Sequence, residues 1–219
     1  MKLTKRLQAI YDMVPNGIAA DIGADHGKLI IALFEGGVIS KGYAIENKKG
    51  PYNRLCENIA KSEAKDGIVA MLSDGISELP KDVDTVIIAG MGGFNVIEIL
   101  KAHPEKLKYV KTIIVAAHNA VPEMRKQICY MGYVIADEDI VSDAGKYYEI
   151  IKFIAGECAY LDEPDYEFGP VLRNEKSLTF KEKYQTRINE IDNLISTKRL
   201  SKDRLVDLDK EKERIRKVL

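Results

Sequence analysis

Asp21-Ile22-Gly23-Ala24-Asp25-His26 places two carboxylates and an imidazole around a glycine, directly after the apolar run Ile18-Ala19-Ala20. An apolar run that ends in a glycine turn and continues into Gly27-Lys28-Leu29 reads as a strand, a tight turn and the start of a helix. Such a turn lets backbone N–H groups and the positive end of a helix dipole approach a nucleotide-like ligand. A dinucleotide fingerprint G-x-G-x-x-G starting at Gly23 needs glycine at 25 and 28, where the chain has Asp25 and Lys28. A carboxylate at 25 repels a pyrophosphate and suits a ligand that carries positive charge. S-adenosylmethionine (SAM), with its sulfonium and ammonium groups, is such a ligand. As a plain loop, the segment would use Asp and Gly only as turn formers.

Four further segments carry polar or glycine-rich ends after apolar runs. Glu46-Asn47 follows Gly42 to Ile45 and lies 23 residues beyond Gly23, where an acidic side chain can accept from ribose hydroxyls. Ser73-Asp74-Gly75 follows Ile68 to Leu72; Asp74 can accept from an adenine amino group while the Gly75 backbone donates to the ring. Gly90-Met91-Gly92-Gly93 follows Val83 to Ala89 and lets a flat group lie against bare backbone near a point of methyl delivery. Ala117-His118-Asn119 follows Thr112 to Ala116 and offers hydrogen-bonding groups on the same rim. Each also has a plainer reading, as surface carboxylate, Asp-Gly turn, flexible loop or structural histidine. Lys146-Tyr147-Tyr148-Glu149 adds tyrosines that can stack on a base or pack on a sheet edge.

Positioning these groups together requires a sheet whose strands end on one rim. The runs named above, with Ile18 to Ile22, Tyr133 to Asp137 and Tyr148 to Ile154, make seven strands, separated by helical stretches at Pro51 to Ile59, Asn95 to Leu100 and Pro122 to Met131. In an open α/β sheet, ligands bind beyond the carboxyl ends of the strands. The last two strands are joined only by Glu138 to Tyr147, which predicts an antiparallel hairpin with a long loop. The resulting α/β class is the Rossmann-like, seven-stranded arrangement of class I methyltransferases.

After Phe168-Gly169-Pro170 the pattern changes to long helices. Tyr184, Ile188, Ile191 and Ile195 make one apolar stripe, and Leu205, Leu208, Ile215 and Leu219 a second, with Lys212 on the seam. A reversal near Thr197 to Lys202 predicts an antiparallel helical hairpin, a coiled coil. Residues 173–219 hold 14 Lys and Arg against 9 Asp and Glu, a net of +5 on a chain whose net charge is -1. A basic appendage on an acidic body suits a polyanion, with Lys181, Lys183, Arg187, Lys198, Arg199, Lys202 and Arg204 as its outer face. The expected domains are 1–160, holding the cofactor, and 161–219, meeting the polyanion.

Composition excludes several classes. With 46% hydrophobic residues the chain can bury a full core, yet no apolar run approaches the roughly 18 residues of a membrane span. Asp12 and Pro15 interrupt the N-terminus before a signal-peptide core could form, which predicts a cytoplasmic protein. Cys56, Cys129 and Cys158 are widely spaced with no C-x-x-C pair, which argues for three separate buried thiols and against a disulfide framework or a metal site. Nothing in the sequence points to an obligate protein partner.

Taken together, Ala20-Asp21-Ile22-Gly23-Ala24-Asp25-His26, Gly50-Pro51, Asp74-Gly75, Ile88-Ala89-Gly90-Met91-Gly92-Gly93, Tyr148-Glu149-Ile150-Ile151 and Phe168-Gly169-Pro170 resemble the bacterial TrmK family. That family consists of SAM-dependent tRNA (adenine-N1)-methyltransferases acting on adenine 22. The resemblance implies a tRNA partner, SAM held around Asp21, Gly23, Asp25, His26, Glu46 and Asn47, Asp74 and Gly75, and Gly90 to Gly92, and base-side roles for Asp25 and for His118 or Asn119. Ala24 stands where the family has Thr or Ser, Glu46 where it has Asp, and Ala117-His118-Asn119 where it reads Gln-Pro-Asn. Aligned back from Met124-Arg125, His118 falls on the family Asn. Two other readings fit the residues: a SAM enzyme with a small-molecule acceptor, and a non-catalytic RNA-binding protein of the same fold.

Overall fold

A computed structural model describes residues 2–157 and 160–219. The chain divides into two compact units, Met1–Tyr160 and Leu161–Leu219. The first runs α1 (Lys5–Met13), β1 (Gly17–Ile22), α2 (Lys28–Glu35), β2 (Ile39–Glu46), α3 (Lys49–Ala60), β3 (Ile68–Leu72), β4 (Thr85–Ala89), α4 (Gly93–Ala102), α5 (Pro104–Leu107), β5 (Thr112–Ala116), α6 (Val121–Tyr130), β6 (Tyr133–Asp143) and β7 (Lys146–Ala155). The second holds α7 (Glu163–Phe168), α8 (Pro170–Glu175), α9 (Leu178–Thr197) and α10 (Lys202–Val218).

The seven strands form one sheet in the order β3-β2-β1-β4-β5-β7-β6, with β7 antiparallel to both β5 and β6 and the other pairs parallel. The order reverses between β1 and β4, so a crevice opens beyond their carboxyl ends. Val86, Ile87 and Ile88 of β4 and Ile113 to Val115 of β5 are fully buried, as a parallel sheet covered on both faces requires. One covering helix, α1, was not foreseen. Thr4 Oγ1 accepts from Leu7 N at its start, and Ala9, Ile10 and Met13 are buried as it packs against β5, β6 and β7.

The expected ten-residue loop between the last two strands is a correction. The ladder extends to Asp143 opposite Lys146, leaving only Ala144-Gly145 as the turn, both at positive φ as a two-residue hairpin turn demands. Glu138, Asp139, Ser142 and Asp143 read as loop because β6 is a polar edge strand. An irregularity between Ile135 and Asp137 rephases its alternation, so that Glu138 and Ile140 point inward. Glu138 there meets the fully buried Arg125 of α6, whose Nε donates to Glu138 Oε1 at 2.8 Å; Nη2 donates to Glu149 of β7. This buried triad ties α6 to the hairpin.

Smaller expectations shift too. Pro51 lies in the third position of α3 rather than the first, and Cys56 is only partly buried while Cys129 is buried. Cys158 lies outside the described residues.

The second unit has its own core, in which Tyr184 meets the rings of Phe168 and Phe180. Ile188, Ile191, Leu208 and Ile215 are buried where α9 and α10 pack, and Val218 takes the end of the second stripe ahead of Leu219. The seam residue Lys212 is paired across it, its Nζ donating to Asp192 Oδ1 at 2.6 Å. Arg187 does not belong to a free outer face: its Nε donates to Glu211 Oε1 at 2.7 Å, joining the two helices. Lys181, Lys198, Arg199, Lys202 and Arg204 are exposed, the last four around the turn between the helices.

Candidate active site

The β1–α2 turn is shaped by its backbone. Gly23 and Gly27 have φ of +74° and +70°, and Asp25 also adopts the left-handed region at +50°, which Asp tolerates better than most residues. The strained residue is held from β2, because Asp25 N donates to Glu46 Oε1 at 2.6 Å. The Asp25 and Glu46 positions are therefore one unit. Asp25 projects its exposed carboxylate 3.7 Å from His26 Nε2. Asp21, behind it, is buried, and burial together with the charge of Glu46 raises its carboxyl from 3.8 to about 7. Neither Asp21 nor Glu46 has an ion-pair partner among the described residues.

A pocket of about 500 Å³ opens here, of a size that suits a nucleoside-scale ligand. Of the expected residues, Asp21, Gly23, Asp25, His26, Gly90 and His118 line it. Asn47 and Asp74 lie beyond it on the β2–β3 side, where Asn47 Nδ2 donates to Asp74 Oδ1 at 3.3 Å ahead of Gly75, itself at positive φ. Met91 and Gly92, in the turn that follows β4, are not among the lining residues; the Met91 side chain lies against Gly23.

That turn is zipped to the one after β5. Gly90 N donates to Ala116 O, His118 N to Met91 O, and Gly93 N to both Asn119 O and Asn119 Oδ1. A Cβ on Gly93 would stand 2.6 Å from Asn119 O, so the close approach requires glycine. Asn119 thus spends its side-chain oxygen on the scaffold, while His118 lines the pocket. The two neighbours, indistinguishable from spacing, differ in what they face.

The sequence reading missed the α1 side of the pocket, where Lys2, Thr4, Arg6 and Leu7 line it. The signal was present: Thr4 as a cap, then Leu7, Ile10 and Val14 at helical spacing. Among the described residues no group of three or more His, Cys, Asp or Glu could hold a metal, and no helix is long and apolar enough to cross a membrane.

Comparison with known proteins agrees with this arrangement. The family model for tRNA (adenine(22)-N(1))-methyltransferase, TrmK, matches residues 19–218. A Bacillus subtilis (strain 168) protein of that name is 31% identical over 191 residues, 84% of this chain and 80% of its own length. The solved structure of the B. subtilis m1A22 tRNA methyltransferase TrmK superposes with a TM-score of 0.87 at 28% identity, covering 99% of this chain and 98% of that one. A Streptococcus pneumoniae protein solved in complex with S-adenosyl-L-methionine superposes with a TM-score of 0.92 at 30% identity, with 100% of each chain covered. The seven-stranded sheet, its strand-end turns and these matches lead to one assignment: the chain belongs to the TrmK family of tRNA (adenine(22)-N(1))-methyltransferases.

Proposed function

We propose that this chain uses SAM to methylate N1 of adenine 22 in tRNA, with the cofactor against the ends of β1 to β3 and the base against the turns after β4 and β5. The observation that carries this reading is the uncompensated carboxylate set. Asp21 and Glu46 are buried without a cation partner and Asp25 stands beside them, a donor set that fits a cationic ligand. SAM supplies an electrophilic methyl group on a sulfonium.

Adenine N1 holds a free lone pair at neutral pH and gains a methyl without losing a proton, so no general base is needed and the ring becomes cationic. Asp25, exposed to the pocket and fixed through its own backbone, is placed to stabilise that charge. Asp21 faces the cofactor's ammonium. Glu46 keeps one oxygen for a ribose hydroxyl while the other holds Asp25 N. Asp74, oriented by Asn47, accepts from the adenine amino group of the cofactor. N1 lies on the pairing edge of the base, so the target nucleotide leaves its stack to react, and Gly90 with His118 bounds the space it enters. Residues 161–219 bind the tRNA backbone through their exposed lysines and arginines. We place the enzyme in the cytoplasm, with tRNA.

Incubation with methyl-labelled SAM and an unmodified tRNA transcript, followed by nuclease digestion, should put the label in 1-methyladenosine at position 22. Label in a guanosine, or only in a small-molecule acceptor, would overturn the reading.

A further inference from the structure

The acceptor side of the pocket contains a cation that the mechanism above leaves unused. Arg6, partly buried in the first turn of α1, lines the pocket with Gly90 and His118. Its Cζ lies 5.0 Å from the centre of the Tyr148 ring. Tyr148 in turn meets His118 edge-on, with ring centroids 5.8 Å apart. The Arg6 backbone is pinned as well: its N donates to Asp143 Oδ2 at 3.2 Å, at the β6–β7 turn.

The Arg6 side chain ends close to Gly90. A Cβ on that glycine would lie 3.7 Å from Arg6 Nη1 and 3.9 Å from His118 Nε2, so guanidinium and imidazole flank the same bare backbone. Among the described residues the guanidinium has the Tyr148 ring and no carboxylate or hydrogen-bond acceptor. A planar fork of five donors, immobilised on an aromatic face and left unpaired at a pocket wall, is prepared for a multi-oxygen anion.

We propose that Arg6, braced by Tyr148, grips the phosphate of the nucleotide whose base enters the pocket, and thereby positions adenine N1. This rests on the reading that the acceptor is tRNA. The charge pattern separates phosphate from base. A base that becomes cationic is poorly served by a guanidinium against it, and Asp25, which lines the same pocket, is already assigned to that charge. A phosphate satisfies Arg6 without opposing the reaction. Arg6 is a positioning residue, and its contact exists before and during transfer, so it contributes to binding more than to turnover.

The test is steady-state kinetics of the full chain on a tRNA transcript across a salt series, with SAM affinity measured by calorimetry. Arg6→Ala should raise the KM for tRNA about tenfold or more, keep kcat within about threefold, and leave SAM affinity unchanged. The slope of log kcat/KM against log salt should become shallower by about one. Arg6→Lys should restore the slope but only part of the KM, since an ammonium lacks the fork. Tyr148→Leu should reproduce part of the Arg6→Ala effect, and the double variant should be no worse than Arg6→Ala alone. An equal loss of SAM affinity would assign the guanidinium to the cofactor's carboxylate, a rise in kcat would place it against the base, and an unchanged salt slope would make its role structural; each overturns the proposal. A wild-type protein that methylates no tRNA overturns the functional reading and this proposal with it, whereas active wild type with an indifferent Arg6→Ala overturns this proposal alone.

Discussion

The two sides of the pocket are built in opposite ways. The cofactor side is nearly contiguous in sequence: Asp21 to His26 form one turn, which β2 holds through Gly23 N and Ala24 N donating to Ile45 O and Asp25 N donating to Glu46. Its carboxylates include Asp21 and Glu46, buried without a cation partner among the described residues. The acceptor side is assembled from residues 6, 90, 118 and 148, four segments far apart in the chain, and it presents donors and rings. A cationic ligand is awaited by charges that the fold itself keeps uncompensated. On the reading proposed above, the braced guanidinium of Arg6 serves a polyanionic one.

Breaking the scaffold of the acceptor side should have the largest effect. Arg125→Met leaves Glu138 and Glu149 buried without their cation, which should cost roughly 3–5 kcal/mol and lower the melting temperature by about 10 °C in a thermal scan. SAM affinity, measured well below melting, should hold, because the triad supports the hairpin and α6 rather than the β1–α2 turn.

A smaller effect sharpens the cofactor side. Asp21 titrates at about 7 in the folded chain, raised by burial and by Glu46. A carboxyl so raised contributes stability that is full below its unfolded value near 3.8 and is lost as pH rises through 7. Asp21→Asn should therefore gain stability relative to wild type between pH 5 and 8. A cationic ligand selects the anionic form, so wild-type SAM affinity should strengthen about fivefold from pH 6 to pH 7, and Asp21→Asn should flatten that dependence. Calorimetry at the two pH values reads both. Smallest is Asp74→Ala, which removes one hydrogen-bond acceptor at the exposed β3 end and should weaken SAM binding only a few-fold.

The same contrast explains what the sequence disclosed. Alternating apolar runs and strand-end turns marked all seven strands, and the misfit of Asp25 and Lys28 with a dinucleotide loop pointed toward a cationic ligand, because that information lies within ten residues. The acceptor side was only partly legible. His118 and Asn119 are adjacent, and only the register of the turn after β4 decides that Asn119 bonds Gly93 while His118 faces the pocket. Arg6 belongs to a short helix whose role depends on packing across β5 to β7. The second half of β6 hid its strand character because Glu138 is an inward-facing charge whose partner, Arg125, is 13 residues away.

The division of the site is tested most directly by SAM affinity in Glu46→Ala and His118→Ala measured side by side by calorimetry. The account predicts a loss on the order of a hundredfold or more for Glu46→Ala, which forfeits both the ribose contact and the lock on Asp25, and a change within about twofold for His118→Ala. Equal losses in the two variants, or SAM binding untouched by Glu46→Ala, would contradict it.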